Sequence, residues 1–394
     1  MTHYDVGGGM EGAVHPVGVV PTRRTLWTVQ AMRGIAALMV VIGHSQSAAG
    51  RLMAASGEHF VRSTVMPWGA GVDLFFVLSG FIMVHASTRL FGRQGARSEF
   101  LRRRLVRIVP LYWLVTTLFL ILLAAAALKG GDPFPGMGAI LASYAFFPAD
   151  TYSDGRFFPV FDLGWTLNYE MFFYTLFALV VPLARRRALA AVGGLLSVAV
   201  VIGMFAPGPS PLWFWTRPII LDFGLGLIVG ALAGRGVRLS RGVRMVLALV
   251  GVGLLVADPF RIFNGPVGIT VGNGWPRVLC AGLPIAAILA AAVLGPEPAT
   301  PRLLRPVSHL GDASYSLYLF HPFALIVTEK LVQKLAFARG VEGWQLVLFM
   351  VAVALGIALC VHRWIERPMT AELARRLSRA VPPLPRTVAA HSGE

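Results

Sequence analysis

Long apolar runs, broken by short connections rich in arginine, follow one another from about residue 27 to residue 370. Read as helices crossing a bilayer, they fall at 29–49, 71–91, 105–128, 164–184, 188–207, 217–234, 245–259, 276–295, 312–335 and 343–364. A spanning helix needs about 20 apolar residues, so the seventh run is short and its limits are soft. The stretch 138–148, "GAILASYAFFP", is shorter still and is expected to lie at the interface or to re-enter the membrane. The pattern predicts an all-α fold, a polytopic bundle of about ten transmembrane helices. No internal repeat marks two matched halves of the kind transporters use. In "GLGLIVGALAG", Gly226, Gly230 and Gly234 recur every fourth residue and predict close packing of that helix on a neighbour.

Composition agrees with the pattern. Of 394 residues, 56% are hydrophobic and only 14% charged, and the mean hydropathy is +0.68. A soluble domain with so little polar surface is not expected. The net charge of +16 sits between the apolar runs. With both termini placed in the cytoplasm, most arginines fall on the inner side, as the positive-inside bias requires. The charge is thus topogenic and lipid-facing, and no nucleic-acid partner is expected. Cys280 and Cys360 lie in apolar runs without metal-ligand spacing, so neither a disulfide framework nor a metal site is predicted. Residues 1–26 read as a disordered cytoplasmic N-terminus without a cleaved leader, 27–370 as the membrane domain, and 371–394 as a basic, Pro-rich cytoplasmic tail.

Ionisable groups inside the apolar runs are costly and are candidates for function. Arg33 and His44 close the two ends of "RGIAALMVVIGH". Eleven residues make about 1100° of helix, three turns plus about 20°, so the two share one face. The rise between them is about 16 Å, too far for contact. Arg33 then points into the groove nearer the cytoplasm and His44 nearer the outside. Asp73 in "GVDLFFVLSGF", Glu170 in "GWTLNYEMFFY" and Asp222 in "RPIILDFGLG" are placed in the outer half with His44. A carboxylate beside an imidazole is a usual general-base arrangement. The sequence leaves open which carboxylate it is, and Asp73 and Asp222 also suit helix caps. Arg102, Arg103, Arg104 and Arg107 crowd the inner end of the third run, where they suit either topogenesis or phosphate binding. His321 lies mid-run in "LGDASYSLYLFHPF", beside Tyr315; Pro322 frees a backbone carbonyl that neighbouring helices are expected to satisfy. Trp165, Asn168 and Tyr169 complete the expected groove. No GxSxG elbow, HExxH motif or Gly-rich phosphate loop occurs. Direct transfer with a histidine base, or a transient acyl-histidine, remains.

These stretches, together with "FLRRRLVRIVPLYW" and "IERP", occur in the order found in the acyltransferase-3 family, which the chain resembles over about residues 27–370. "VQAMRGIAALMVVIGHS" and "GWTLNYEMFF" resemble most the subgroup that O-acetylates secreted polysaccharide; Thr166 stands where many relatives have Ser. The resemblance implies acyl-CoA, most simply acetyl-CoA, as donor. It implies catalytic roles for Arg33 and His44; of the carboxylates read from the residues, Glu170 or Asp73 is expected to orient the base. Donor handling falls to Arg102, Arg103 and the basic residues that follow. The expected protein is a multi-pass enzyme of a bacterial inner membrane that acylates a glycan or glycolipid, alone or beside polysaccharide assembly proteins. The alternative is a proton-coupled polysaccharide or lipid transporter using the same buried His, Glu and Asp groups. It accounts for the buried titratable groups and leaves the arginine cluster unexplained.

Overall fold

The computed structural model describes residues 23–263, 272–296, 305–334 and 342–379. Among these, every regular element is helical, and each of the ten expected runs coincides with a helix. The first is α1 (Arg23–Ala55), followed by α2 (Gly71–Ala86) and α3 (Ala96–Ala127). The stretch read as interfacial forms only the eight-residue α4 (Met137–Tyr144), too short to cross a bilayer. It lies against α3, where Trp113 Nε1 donates to the Tyr144 carbonyl at 2.9 Å. Next come α5 (Trp165–Val180), α6 (Arg185–Gly203), the short α7 (Pro211–Trp215), α8 (Leu221–Gly234) and α9 (Arg241–Ala257). The eighth run is α10 (Trp275–Val293), continuous through one π-helical turn at Val278–Gly282. The last helices are α11 (Arg305–Asp312), α12 (Ser314–Lys334), α13 (Gly343–Val361) and α14 (Arg367–Arg379).

Among the described residues, five helices are long and apolar enough to cross a membrane by length and composition: Trp68–Ala86, Ala96–Ala127, Arg185–Gly203, Trp275–Val293 and Gly343–Leu377. Side chains that a soluble protein would hide stand outside, among them Met245, Val246, Leu249 and Val250 on α9. Such a face suits hydrocarbon and not water. The expected tail boundary at residue 371 falls inside α14. There Glu372 pairs with Arg376 at 2.6 Å and also with Arg375, a spacing that supports a helix through Arg379. Of the ends expected to be disordered, 1–26 and 371–394, residues 23–26 open α1 and 371–379 belong to α14, while 1–22 and 380–394 lie outside the described residues.

The spaced glycines do what the pattern implied. A Cβ on Gly226 would stand 1.9 Å from the Val77 carbonyl oxygen, so α8 touches the backbone of α2 there. Gly230 meets Val84 of α2, whereas Gly234 meets the guanidinium of Arg185. A second close approach sets the site. A Cβ on Gly311 would lie 1.9 Å from the Gln30 carbonyl, so α11 abuts α1 and delivers the start of α12 beside Arg33.

Gly226→Ala is expected to destabilise the protein by about 2 kcal/mol or more, because backbone leaves no room to relax. Gly193 of α6 has nothing within 4 Å of its would-be Cβ, so Gly193→Ala should hold or raise stability. Thermal unfolding of the two variants in detergent checks both.

Candidate active site

Two cavities meet inside the bundle, and both are lined by α1. One, called inner after the orientation expected from the sequence and about 80 Å³, is bordered by Arg33, Ser79, Arg104, Arg107, Glu170 and Tyr174. The outer one, about 550 Å³, is bordered by His44, Arg51, Trp68, Phe158, Asp162, Trp165 and Glu329, among others. Val72 and Tyr318 line both, so the cavities adjoin at these two side chains. The single helical face carrying Arg33 and His44 therefore presents one to each cavity.

Burying a guanidinium demands partners. Arg33 is 8% exposed and donates to Gln30 Oε1 and to Ser314 Oγ, each at 2.9 Å. Glu170 accepts from Ser79 Oγ at 3.1 Å and from the Tyr174 hydroxyl. Of the four crowded arginines Arg102, Arg103, Arg104 and Arg107 on α3, Arg104 and Arg107 line the inner cavity. Arg102 and Arg103 instead pair with Glu99, Arg103 Nε standing 2.6 Å from Glu99 Oε1. Tyr315 also borders the inner cavity, and its hydroxyl donates to the Ile108 carbonyl at 2.7 Å.

The partner of His44 differs from the carboxylates expected. His44 Nδ1 lies 2.7 Å from His321 Nε2, whereas Glu170 belongs to the inner cavity. The reason for the displacement is depth. Glu170 lies five residues into α5, and that is about 7.5 Å of helix at 1.5 Å per residue. Asp73 is committed elsewhere: its two oxygens accept from Arg277 Nε and Nη2, each at 2.8 Å, in a fully buried bidentate pair. Asp222 is packed beside this pair and lines neither cavity. Asn168 and Tyr169 also line neither; both are fully buried, and the Tyr169 hydroxyl donates to the Phe214 carbonyl at 2.6 Å. Trp165 does reach the outer cavity, stacked on Phe158 with ring centres 5.9 Å apart.

Several charged positions with interior or cavity contacts escaped the sequence reading. Arg277 sits in the first turn of an expected span, a signal as strong as that of Asp73. Glu366, in "IERP", accepts from Ser316 Oγ at 2.5 Å and sits 2.8 Å from His362 Nδ1. At the outer cavity, Arg51 bridges to Glu329 at 2.6 Å. In the loop beside α5, burial pushes the Asp162 carboxyl above the usual carboxylate range, while Arg156 opposes this. Two adjoining cavities, one cationic and one holding an exposed imidazole edge among aromatic rings, suit a group transfer between a phosphate-bearing donor and a hydroxyl-rich acceptor.

The class follows: the chain is an O-acyltransferase of the membrane, and it belongs to the acyltransferase-3 family, whose acyltransferase domain profile matches residues 27–363. It is 36% identical over 322 residues to the exopolysaccharide production protein ExoZ of Rhizobium meliloti (strain 1021), covering 80% of this chain and 92% of that one. It is 26% identical to the putative peptidoglycan O-acetyltransferase YrhL of Bacillus subtilis (strain 168), covering 79% of this chain and 52% of that longer one. It is 25% identical to the putative membrane-bound transacylase BcsY of Komagataeibacter xylinus, covering 77% and 74%. No solved structure matches it. Family membership removes the ground for the transporter alternative.

Breaking a buried ion pair leaves one charge uncompensated and costs about 3–5 kcal/mol. Asp73→Ala should therefore lose stability on that scale, and transfer per folded molecule should fall much less than in a variant of His44. Thermal unfolding together with activity normalised to folded protein separates the two effects.

Proposed function

We propose that this enzyme moves an acyl group, most simply acetyl, from cytoplasmic acyl-CoA to a hydroxyl of an extracytoplasmic or lipid-linked polysaccharide. The observation that carries the reading is the junction of the two cavities at Val72 and Tyr318, with Arg33 on one side and His44 on the other. The names of the relatives, one in exopolysaccharide production and one in O-acetylation, support a polysaccharide acceptor. The arginine-rich inner connections support a ten-span arrangement in a bacterial inner membrane with both termini cytoplasmic. Polysaccharide assembly proteins are natural neighbours for such an enzyme.

The inner cavity fits the end of a donor of this kind. Arg33, Arg104 and Arg107 outnumber Glu170, so the lining carries excess positive charge for phosphate oxygens. Its narrow shape beside the much larger second cavity suits the slim thioester arm of the donor, with the nucleotide on the cytoplasmic side. Arg102 and Arg103, paired with Glu99, are left to topology and solubility. The outer cavity, far larger and walled by Trp68, Phe158 and Trp165, accepts a sugar ring by stacking against its C–H face.

In the transfer, His44 takes the proton of the attacking hydroxyl. The oxygen forms a bond to the acyl carbon, the carbon–sulfur bond breaks, and the leaving thiolate recovers the proton from His44. The products are an O-acyl sugar and the free thiol. Glu170 keeps Ser79 and Tyr174 ordered and balances part of the arginine charge.

In proteoliposomes loaded with labelled acetyl-CoA, wild-type protein should acetylate polysaccharide supplied outside. His44→Ala should cut kcat by about 10²–10⁴-fold. Replacing both Arg104 and Arg107 by Ala should raise the KM for acetyl-CoA by about 10-fold or more, from the loss of charge-assisted hydrogen bonds. Near wild-type transfer by His44→Ala would overturn the mechanism. Loss of no acyl signal from the cell's polysaccharides on gene deletion, read by NMR, would overturn the acceptor.

A further inference from the structure

His321 is followed by a proline, and proline has no backbone N–H. In an α-helix that N–H would serve the carbonyl four residues earlier, here Tyr318. The vacated oxygen still needs a donor, because a buried, unpaired carbonyl is costly. Among the described residues, no neighbouring helix provides one. His321 does so itself: its Nδ1 lies 2.8 Å from the Tyr318 oxygen and 3.2 Å from that of Leu317. Carbonyl oxygens only accept, so the hydrogen of the His321 ring is on Nδ1.

The consequence passes to the next ring. A neutral imidazole with its hydrogen on Nδ1 has a lone pair on Nε2. His321 is fully buried, and its polar neighbours are two carbonyls and His44, so no carboxylate is there to support an imidazolium. The contact of 2.7 Å between His321 Nε2 and His44 Nδ1 therefore needs its hydrogen from His44. The ring centres are 5.0 Å apart and the planes tilt by 27°. With the nitrogens that close, the rings meet edge to edge and near coplanar, the geometry of an N–H···N hydrogen bond and not of face-to-face stacking.

We propose that the His321–Pro322 pair sets the tautomer of His44. The proline vacates a carbonyl, the carbonyl fixes His321, and His321 holds the hydrogen of His44 on Nδ1. The lone pair of His44 is then on Nε2, which has no hydrogen-bond partner among the described residues and lies on a ring that lines the outer cavity. Free histidine in water prefers the opposite tautomer, so the arrangement has to be imposed. His321 is a positioning residue, acting through His44. The proposal rests on the reading of His44 as the base, and its primary test does not depend on activity.

The full-length protein, labelled with 15N-histidine and held in lipid nanodiscs near neutral pH, gives the tautomers directly by NMR. His44→Gln and His321→Gln identify the two sets of signals by their loss. Both rings should show a protonated Nδ1 and a bare Nε2. A hydrogen on Nε2 of either ring would overturn the proposal. In His321→Leu, His44 should shift towards the Nε2–H form, and kcat should fall about tenfold or more with the KM for acetyl-CoA unchanged. His321→Gln, whose side-chain carbonyl accepts from His44 Nδ1–H, should recover part of that loss. Pro322→Ala returns a backbone donor to Tyr318 and should give mixed tautomers at His321. An unchanged His44 tautomer in His321→Leu would also refute the lock. If the tautomers are as stated and His44→Ala still transfers, the base assignment fails and the lock stands. If His44→Ala is dead and the tautomers are reversed, the lock fails and the base assignment stands.

Discussion

The bidentate pair between Arg277 and Asp73 is the constraint on which the rest of the bundle's interior depends. Both charges are buried, and each is affordable in a low-dielectric interior only because the other is there. The pair ties α10 to α2 at the residue next to Val72, and Val72 lines both cavities. Moving α2 would separate the charges, so the junction between the cavities is held by electrostatics as well as by packing. Gly226 then lets α8 lie against the backbone of α2.

Several other interior polar groups are held by hydrogen bonds that pair a charged group with a neutral one. Arg33 of α1 is held by Ser314 of α12, Glu170 of α5 by Ser79 of α2, and Ser316 of α12 by Glu366 after α13. Each contact crosses between helices, so each specifies an orientation that apolar packing alone would leave loose. Hydrophobic burial does not drive association between helices in lipid, and such contacts count for more in fixing one arrangement.

That division explains what could be read in advance. Helix positions follow from apolar run length, and all ten runs are helices for that reason. The shared face of Arg33 and His44 follows from helical period within one element. Partnership between elements does not follow from either. Glu170 was placed with His44 because both begin near helix ends assigned to the same side, yet a few residues of helix moved it past the junction. Arg277 was overlooked because it opens its run, although a buried arginine there demanded a carboxylate. Arg102 and Arg103 looked like Arg104 and Arg107 because sequence does not tell which face of α3 turns inward, and Glu99 takes the first two.

Using a neutral histidine instead of a carboxylate beside His44 has a physical rationale. An ionised carboxylate at the position of His321 would be fully buried and would need its own cation, as Asp73 needs Arg277. The imidazole of His321 orients the base without that demand, because the proline beside it supplies the acceptor that orients His321 in turn. In the proposed mechanism the cost falls on the imidazolium formed when His44 takes a proton, since its ring partner is the neutral His321 and not a carboxylate. Such a base holds its proton briefly. In a transfer whose leaving group is a thiolate, that is suitable, since the proton has a strongly accepting destination as soon as the carbon–sulfur bond breaks. On the proposed reading, the excess positive charge of Arg33, Arg104 and Arg107 on the other side of Tyr318 would hold the donor's anionic groups apart from His44, which lines the other cavity.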